Sequence, residues 1–239
     1  MTSCLFVTGT DTGVGKTTVS CGLLARARAQ GLMTAALKPV ASGCQPTAGG
    51  LRNPDALALQ QGAGIEMTYD EVNPVALEPA IAPHIALAEA GRIVTASQLA
   101  SHCRSYLNRG LDLVLVEGAG GWRVPLSEHE LYSQVPCLLQ ASVVLVVGMQ
   151  LGCINHALLT AGAIAHDGLS LVGWVANSAG GAMPELDANI ATLTQLLPAP
   201  CWGRIPCLQH PSGQDVAQHL LPPQDTWHQR PPRTPGSCM

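Results

Sequence analysis

Lysine is almost absent from this chain: its 239 residues include ten arginines and only two lysines, Lys16 and Lys38. Arginine offers a flat fork of donors, lysine a compact and mobile point charge. Where a generic positive charge suffices the chain uses arginine, so the two lysines mark places where a point charge is needed. Aromatic residues make up only 3%. Leu, Val, Ile and Ala must therefore fill the core, which suits aliphatic parallel strands covered by helices. The net charge of −4 comes without any run of Lys or Arg, so there is no electrostatic footprint for nucleic acid or an anionic membrane surface. No apolar run reaches membrane-spanning length. The N-terminus passes from a short apolar "CLFV" into a glycine-rich loop, too soon for a signal peptide. The nine cysteines are scattered, odd in number and without a C-x-x-C pair, which argues against a disulfide framework or a zinc site. They read as small buried hydrophobes in a reducing compartment. A cytoplasmic location and a small-molecule partner are expected, with no nucleic acid and no membrane.

What is present is an apolar content of 47%, enough for one well-filled core in a chain of this length. Runs of strand length lie at Cys4 to Thr8, Thr34 to Lys38, Leu111 to Val116, Ser142 to Val147, Leu171 to Ala176 and, more weakly, Cys201 to Arg204. Helical three- and four-residue spacing marks Lys16 to Gln30, Thr95 to Arg109, Ile154 to His166 and Pro184 to Leu197. This alternation predicts an α/β fold with a mainly parallel sheet flanked by helices. Two stretches break the rhythm. Residues 70–94 hold too many prolines for one helix and are expected to be a surface excursion. From Gln209 the chain is rich in Pro, Gln and His, a composition expected to bury little apolar surface. The expected organisation is one domain over 1–208 and a Pro-rich tail over 209–239 whose end is disordered.

"GTDTGVGKTT", Gly9 to Thr18, carries the first chemistry. A phosphate-binding loop G-x-x-x-x-G-K-[ST] calls for glycine at position 10, where Thr10 stands instead. The context still fits: a strand precedes the loop, and Val19, Leu23, Leu24 and Ala27 mark one face of a helix that opens at Lys16. Backbone N–H groups of Gly13, Val14, Gly15 and Lys16 would converge on phosphate at the positive helix end. Lys16 would reach the β- and γ-phosphates, and the hydroxyl of Thr17 would help hold Mg²⁺. The competing reading is a plain β-α turn with a solvent-facing lysine.

Lys38 closes the second strand in "AALKPVASG", at the strand end where open α/β sheets bind ligands. It suits an oxyanion, with Ser42 close by, unless it is an ordinary exposed lysine. The apolar strand "LDLVLVEGAGG" ends at Glu117, resembling a Walker B strand with Glu for Asp. Its glycines let backbone approach a ligand. In "RNPDALAL", Asn53 is the expected N-cap, Pro54 takes the first helical position and Asp55 lies in the first turn, so Asp55 is either a cap residue or a Mg²⁺ ligand. Asn177 is either an adenine reader or a turn residue in "NSAGG". Ser178 and Gly180 replace the partners a guanine-reading Asn-Lys-x-Asp motif would need, which favours adenine.

"GTDTGVGKT", "LKPVASG", "RNPDALAL", "VNP", "PHIAL", "LVEGAGGW", "PLS", "LGCINHALLT", "GWVAN" and "IPCL" occur in this order along the chain. Over about residues 3–208 the pattern resembles the dethiobiotin synthetase family. The resemblance implies a three-layer P-loop NTPase-like fold and an ATP-dependent ring closure of 7,8-diaminononanoate with CO₂, giving dethiobiotin, ADP and phosphate. It implies phosphate binding by Gly13, Val14, Gly15, Lys16, Thr17 and Thr18, and Mg²⁺ ligation by Thr17, Asp55 and Glu117. Further nucleotide contacts follow at Gly118, Ala119 and Gly120. The adenine pocket comprises Asn177, Ser178, Pro206, Cys207 and Leu208. By the same resemblance Lys38 is expected to join Lys16 as a catalytic lysine, Ser42 to touch substrate, and Leu151, Gly152, Cys153, Ile154 and Asn155 to hold the substrate carboxylate across a homodimer interface. The chain departs from the family in three places. Gly13 stands where some relatives carry an acid, "EHELYSQVPCLLQ" lacks an expected aspartate and aromatics, and the C-terminus is long and Pro-rich. The rival function is a dimeric ATPase switch of the partitioning or metal-cluster-carrier type. Its signature lysine early in the loop is replaced here by Asp11.

Overall fold

The first apolar run forms strand β1 (Ser3–Gly9), and the sheet extends from it on both sides. The computed structural model describes residues 2–223, 226 and 227. After β1 come α1 (Lys16–Ala29), β2 (Thr34–Leu37), β3 (Val40–Ala41), β4 (Gln45–Thr47), β5 (Gly50–Arg52), α2 (Pro54–Gly62) and α3 (Tyr69–Val72). They are followed by β6 (Val75–Ala76), α4 (Pro83–Glu89), α5 (Ala96–Leu107), β7 (Leu113–Glu117), α6 (Gln134–Leu139) and β8 (Ser142–Gly148). The order ends with α7 (Cys153–His166), β9 (Leu171–Asn177), α8 (Leu186–Leu196), β10 (Cys201–Ile205) and α9 (Gly213–Ala217).

Six strands form one sheet in the order β10-β9-β8-β1-β7-β2, and each neighbouring pair is parallel. The fold is the expected α/β arrangement of a parallel sheet flanked by helices. β7 and most of β8 are buried along their length, which is why "LVLVE" and "SVVLVV" read as unbroken apolar runs rather than alternating ones. The expected strand from Leu111 begins two residues later. Asp112 is occupied in a turn, its carboxylate accepting from the Met33 N–H at 2.8 Å. On α1 the expected face of Val19, Leu23, Leu24 and Ala27 is fully buried.

Two composition-based expectations are corrected by the packing. Residues 70–94 are more than a surface excursion: β6 pairs in parallel with β3, and Val72, Val75, Leu77, Ala86 and Leu87 are buried. The prolines punctuate short elements, with Pro83 starting α4. The first part of the stretch after Gln209 also buries apolar surface, since α9 lies against α1 and Val216 and Leu220 are fully buried. Gly22 permits that approach, because a Cβ there would stand 2.5 Å from Val216 Cγ1. Each such side chain contributes roughly 1.5–3 kcal/mol of burial. The Ser3 hydroxyl donates to the Trp227 carbonyl at 2.5 Å, closing this strap back onto β1. The segment "RPPRTPGSCM" and the expected disorder of the tail lie outside the described residues.

The divergent segment 127–140 is folded, with Tyr132 and Val135 buried. Glu130 accepts from the Ala96 N–H at 2.8 Å at the start of α5. Among the described residues no helix is long and apolar enough to cross a membrane. Among them Cys4, Cys21, Cys44, Cys103, Cys153, Cys201 and Cys207 form no disulfide. Cys44, Cys103 and Cys153 are the buried ones, and Cys207 is exposed.

Candidate functional site

Three neighbouring strands deliver the chemistry to one place. β7 lies between β1 and β2, with Val7 level with Glu117 and Val116 level with Leu37. The glycine loop, Glu117 and Lys38 therefore emerge side by side at the carboxyl edge of the sheet, as parallel topology requires of ligand sites. They open onto a cavity of about 780 Å³ lined by Gly13, Gly15, Lys16, Thr17, Thr18, Lys38, Ser42, Asp55, Glu117, Ala119 and Gly120, among others.

The loop has the geometry of an anion cradle. Gly13 and Gly15 sit at φ 76° and 87°, in the left-handed region that side-chain-bearing residues rarely adopt. A Cβ on Gly15 would also meet Asn177 Nδ2 at 2.0 Å. No side chain caps the start of α1, so its first N–H groups are available for a negative ligand. Thr10, which stood in the position expected for glycine, anchors the loop to β8: its N–H donates to the Val146 carbonyl at 3.0 Å and its hydroxyl accepts from the Gly148 N–H.

Both lysines are buried but differently partnered. Lys16 donates to the Asp11 carbonyl at 2.9 Å. Burial pushes its pKa down to about 8, with Glu117 opposing that shift. Lys38 donates to Glu117 Oε1 at 2.6 Å and lies 3.3 Å from Asp55 Oδ2. Burial lowers its pKa too, but the Glu117 and Asp55 carboxylates outweigh burial and leave it above the ordinary lysine value. The Asn53 side chain accepts from the Asp55 and Ala56 N–H groups and caps α2, and the Asp55 carboxylate faces Lys38.

The donor set suits a divalent cation. The Thr17 hydroxyl donates to Glu117 Oε1 at 2.8 Å, whereas Glu117 Oε2 is buried without a partner among the described residues. An orphaned carboxylate oxygen costs free energy unless a donor or cation meets it. Two carboxylates and a hydroxyl match a Mg²⁺ that keeps waters and arrives with nucleotide phosphates. Among the described residues no group of three or more His, Cys, Asp or Glu is placed to hold a metal by itself.

The other sequence-predicted residues lie elsewhere. Val14 and Gly118 belong to the same loops but do not line the cavity. Asn177 ends β9, is buried, and donates its amide to the Val14 carbonyl at 2.7 Å, so it braces the loop from behind. Ser178 follows it, and Pro206, Cys207 and Leu208 follow β10, the next strand outward. Leu151, Gly152 and Asn155 are exposed at the start of α7, Ile154 is half-buried and Cys153 is buried.

Sequence reasoning missed much of the rim. Ala80, Ile81, Ala82 and Pro83 line the cavity from the excursion, and Arg123, Val124 and Pro125 line it from the loop after β7. That loop is tied down by Asp167, which accepts from Trp122 Nε1 and from both Arg123 terminal nitrogens, each at 2.8 Å. A second cavity of about 440 Å³ shares Thr17, Thr18 and Asp55 and runs along α1 to Arg28, bordered by Pro211, Ser212, Gly213 and Gln214. Pro83 and Pro125 fall in the stretches "PHIAL" and "PLS", but nothing local places these residues on one cavity, because they meet only across the fold.

A family model described as an AAA domain matches residues 3–214. The chain is 57% identical over 215 residues to the ATP-dependent dethiobiotin synthetase BioD of Pseudomonas aeruginosa (strain UCBPP-PA14), covering 90% of this chain and 94% of that protein. It is 58% identical to the Cellvibrio japonicus (strain Ueda107) protein of the same name, with the same coverage. At 46% identity it matches the Aeromonas salmonicida (strain A449) counterpart over 92% of this chain and 97% of that one. Among solved structures it resembles the MinD cell division protein of Aquifex aeolicus, with TM-score 0.56, 16% identity and 95% of each chain covered. It also resembles a ParA family ATPase from Chlorobium tepidum TLS, with TM-score 0.55, 12% identity, and 91% and 90% covered. At such identities these two likenesses speak for the fold alone.

Proposed function

This chain belongs to the ATP-dependent dethiobiotin synthetase family and is an ATP-dependent cyclo-ligase of biotin biosynthesis, and from that premise we propose how its residues close the ring of 7,8-diaminononanoate with CO₂. The observation that carries the proposal is the convergence of Lys16, Lys38, Thr17, Asp55 and Glu117 on one cavity. One amine of the substrate attacks CO₂, forming an N–C bond and losing a proton to give a carbamate. A carbamate oxygen then attacks the γ-phosphorus, and the bond to the β-phosphate oxygen breaks to release ADP. The second amine attacks the carbonyl carbon of the mixed anhydride, the C–O bond breaks, and phosphate leaves with the cyclic urea closed. No covalent protein nucleophile is needed; alignment and charge stabilisation are.

Gly13, Val14, Gly15, Lys16, Thr17 and Thr18 hold the phosphates, with Gly118, Ala119 and Gly120 beside them. Lys16 follows the β- and γ-phosphates, and Lys38 steadies the carbamate and the phosphoryl group in transfer. Ser42, whose hydroxyl is buried without a partner, contacts substrate. Thr17, Asp55 and Glu117 would hold Mg²⁺, which when bound neutralises phosphate charge. The base lies toward Asn177, Ser178, Pro206, Cys207 and Leu208. Leu151 is 96% exposed and Leu159 66% exposed. Leu151 lies in the turn before α7 and Leu159 on α7 itself; two exposed leucines on and beside this helix support a homodimer in which the Leu151 to Asn155 segment, with Gly152, Cys153 and Ile154, completes the partner's substrate site. We place the enzyme in the cytoplasm.

The test is to incubate pure protein with Mg-ATP, bicarbonate and 7,8-diaminononanoate while following ADP and product mass. Dethiobiotin formed in step with ADP is the expected result. ADP release indifferent to the diamine would sink the synthetase mechanism and revive the switch ATPase, a reading not favoured by the relatives. Sedimentation of Leu159→Glu tests the dimer: a wild type that is already monomeric overturns that part alone.

A further inference from the structure

A buried chain of hydrogen bonds runs behind the site, outside the residues assigned to ligands. The Tyr69 hydroxyl accepts from the Asn53 N–H at 2.7 Å and donates to Asn73 Oδ1 at 3.0 Å. Asn73 Nδ2 donates to the Lys38 carbonyl at 2.6 Å, and the Lys38 N–H donates to the Val72 carbonyl at 2.9 Å. Both main-chain groups of Lys38 are thus held by the segment that carries Tyr69. On the other side Asn53 caps the helix that carries Asp55, and its Nδ2 donates to the Ser42 carbonyl at 3.2 Å. Arg52 lies over the Tyr69 ring at 4.1 Å, fixing its plane. Asn73 comes from the excursion between β-α units, within the stretch "VNP", and Tyr69 directly precedes that excursion.

We propose that Tyr69 is a positioning residue for ring closure, its hydroxyl linking the strand end bearing Lys38 to the helix start bearing Asp55 and so setting their approach. The inference rests on the synthetase reading. The physical basis is connectivity: Lys38 and Asp55 lie on separate elements, and the 3.3 Å between their charged atoms would vary if those elements moved independently. Tyr69 is the one side chain in the relay that bonds to both Asn53 and Asn73. Burial pushes its pKa up, so at neutral pH the hydroxyl stays protonated and remains a donor. A buried network with every member partnered holds one geometry, and reacting groups held in place are worth large rate factors.

Tyr69→Phe keeps the ring and its packing while deleting the link. Expected is a fall in kcat of about tenfold, the scale of a sub-ångström misplacement, with KM for ATP within twofold and a folded protein by circular dichroism. A double-mutant cycle with Asp55→Asn reads the coupling. If Tyr69 acts through the Lys38–Asp55 geometry, adding Tyr69→Phe to Asp55→Asn costs little further, on the order of twofold or less. Single-turnover product mass gives the rate for the slow variants. A full tenfold loss in both backgrounds, or an unchanged kcat in Tyr69→Phe, overturns the proposal. Should Tyr69→Phe fail to fold, Asn73→Ala cuts the same link at its Lys38 end, removing the acceptor of the Tyr69 hydroxyl and the donor to the Lys38 carbonyl, and must show the same loss of effect beside Asp55→Asn. A wild type that makes no dethiobiotin would instead refute the functional reading, independently of any variant.

Discussion

Lys16 and Lys38 line the same cavity, yet the two surroundings are opposite. Lys16 has a neutral carbonyl as its partner and a pKa pulled down to about 8 by burial. Lys38 has two carboxylates and a pKa above the ordinary value, because their charge outweighs burial. The phosphate loop is thus electrostatically incomplete and waits for a ligand to bring negative charge. In the strand-end cluster Lys38 is already paired with two carboxylates, so the cost of desolvating this lysine falls on folding rather than on binding. One lysine is poised to attract ATP, the other is held ready for charge that develops during transfer.

The largest effect that should separate them is catalytic. Lys38→Gln is expected to lower turnover about 10²–10³-fold, the scale of removing one donor to developing charge, while ATP binding by calorimetry changes little. Turnover within tenfold of wild type would break the comparison. Stability separates them as well. Removing Lys38 leaves Glu117 buried without its counter-charge, for which about 3–5 kcal/mol is the usual loss, whereas Lys16→Gln removes a charge whose burial outweighs the nearby carboxylates and should leave the urea midpoint unchanged or raised. Adding Glu117→Gln to Lys38→Gln should recover much of the lost midpoint. Next, Lys16→Gln is expected to weaken ATP binding roughly 10–100-fold, as for a lost hydrogen bond to a charged group.

The smallest effect is that of pH. Lys16 has a folded pKa of about 8 against 10.5 for an ordinary lysine. Between these values the unfolded chain binds more protons than the folded one, so this group's contribution makes stability rise with pH across that window. Bound phosphate needs the protonated form, so above about pH 8 ATP binding should take up a proton and weaken by up to about tenfold per pH unit. Calorimetry at pH 8.5 in two buffers of different ionisation enthalpy measures that uptake. No uptake in wild type, or the same uptake in Lys16→Gln, would remove the asymmetry between the two lysines.

The comparison also marks what could be read in advance. Lys16 was legible because its loop is local: glycines at fixed spacing, a strand before and a helix after. Lys38 was legible through its scarcity and its strand end, but its partners were not, since Glu117 and Asp55 lie 79 and 17 positions away in the sequence. Asn177 was read as facing a base or forming a turn. In the fold its amide braces Val14, a contact that depends on how close the end of β9 comes to the glycine loop. The stretch after Gln209 was misjudged from composition, because a few well-placed residues such as Val216 and Leu220 suffice where Gly22 lets them approach.

Residue order by itself determined the strand-helix alternation, the anion-binding loop, the helix cap at Asn53 and the family, all of which depend on short-range spacing and composition. Only the tertiary structure decided which lysine is paired, that Glu117 Oε2 lacks a partner, and that the excursion grips Lys38 on both main-chain groups. Those outcomes depend on the sheet order, which sets β7 between β1 and β2, and on burial, which makes an unpaired charge costly and a paired one stable.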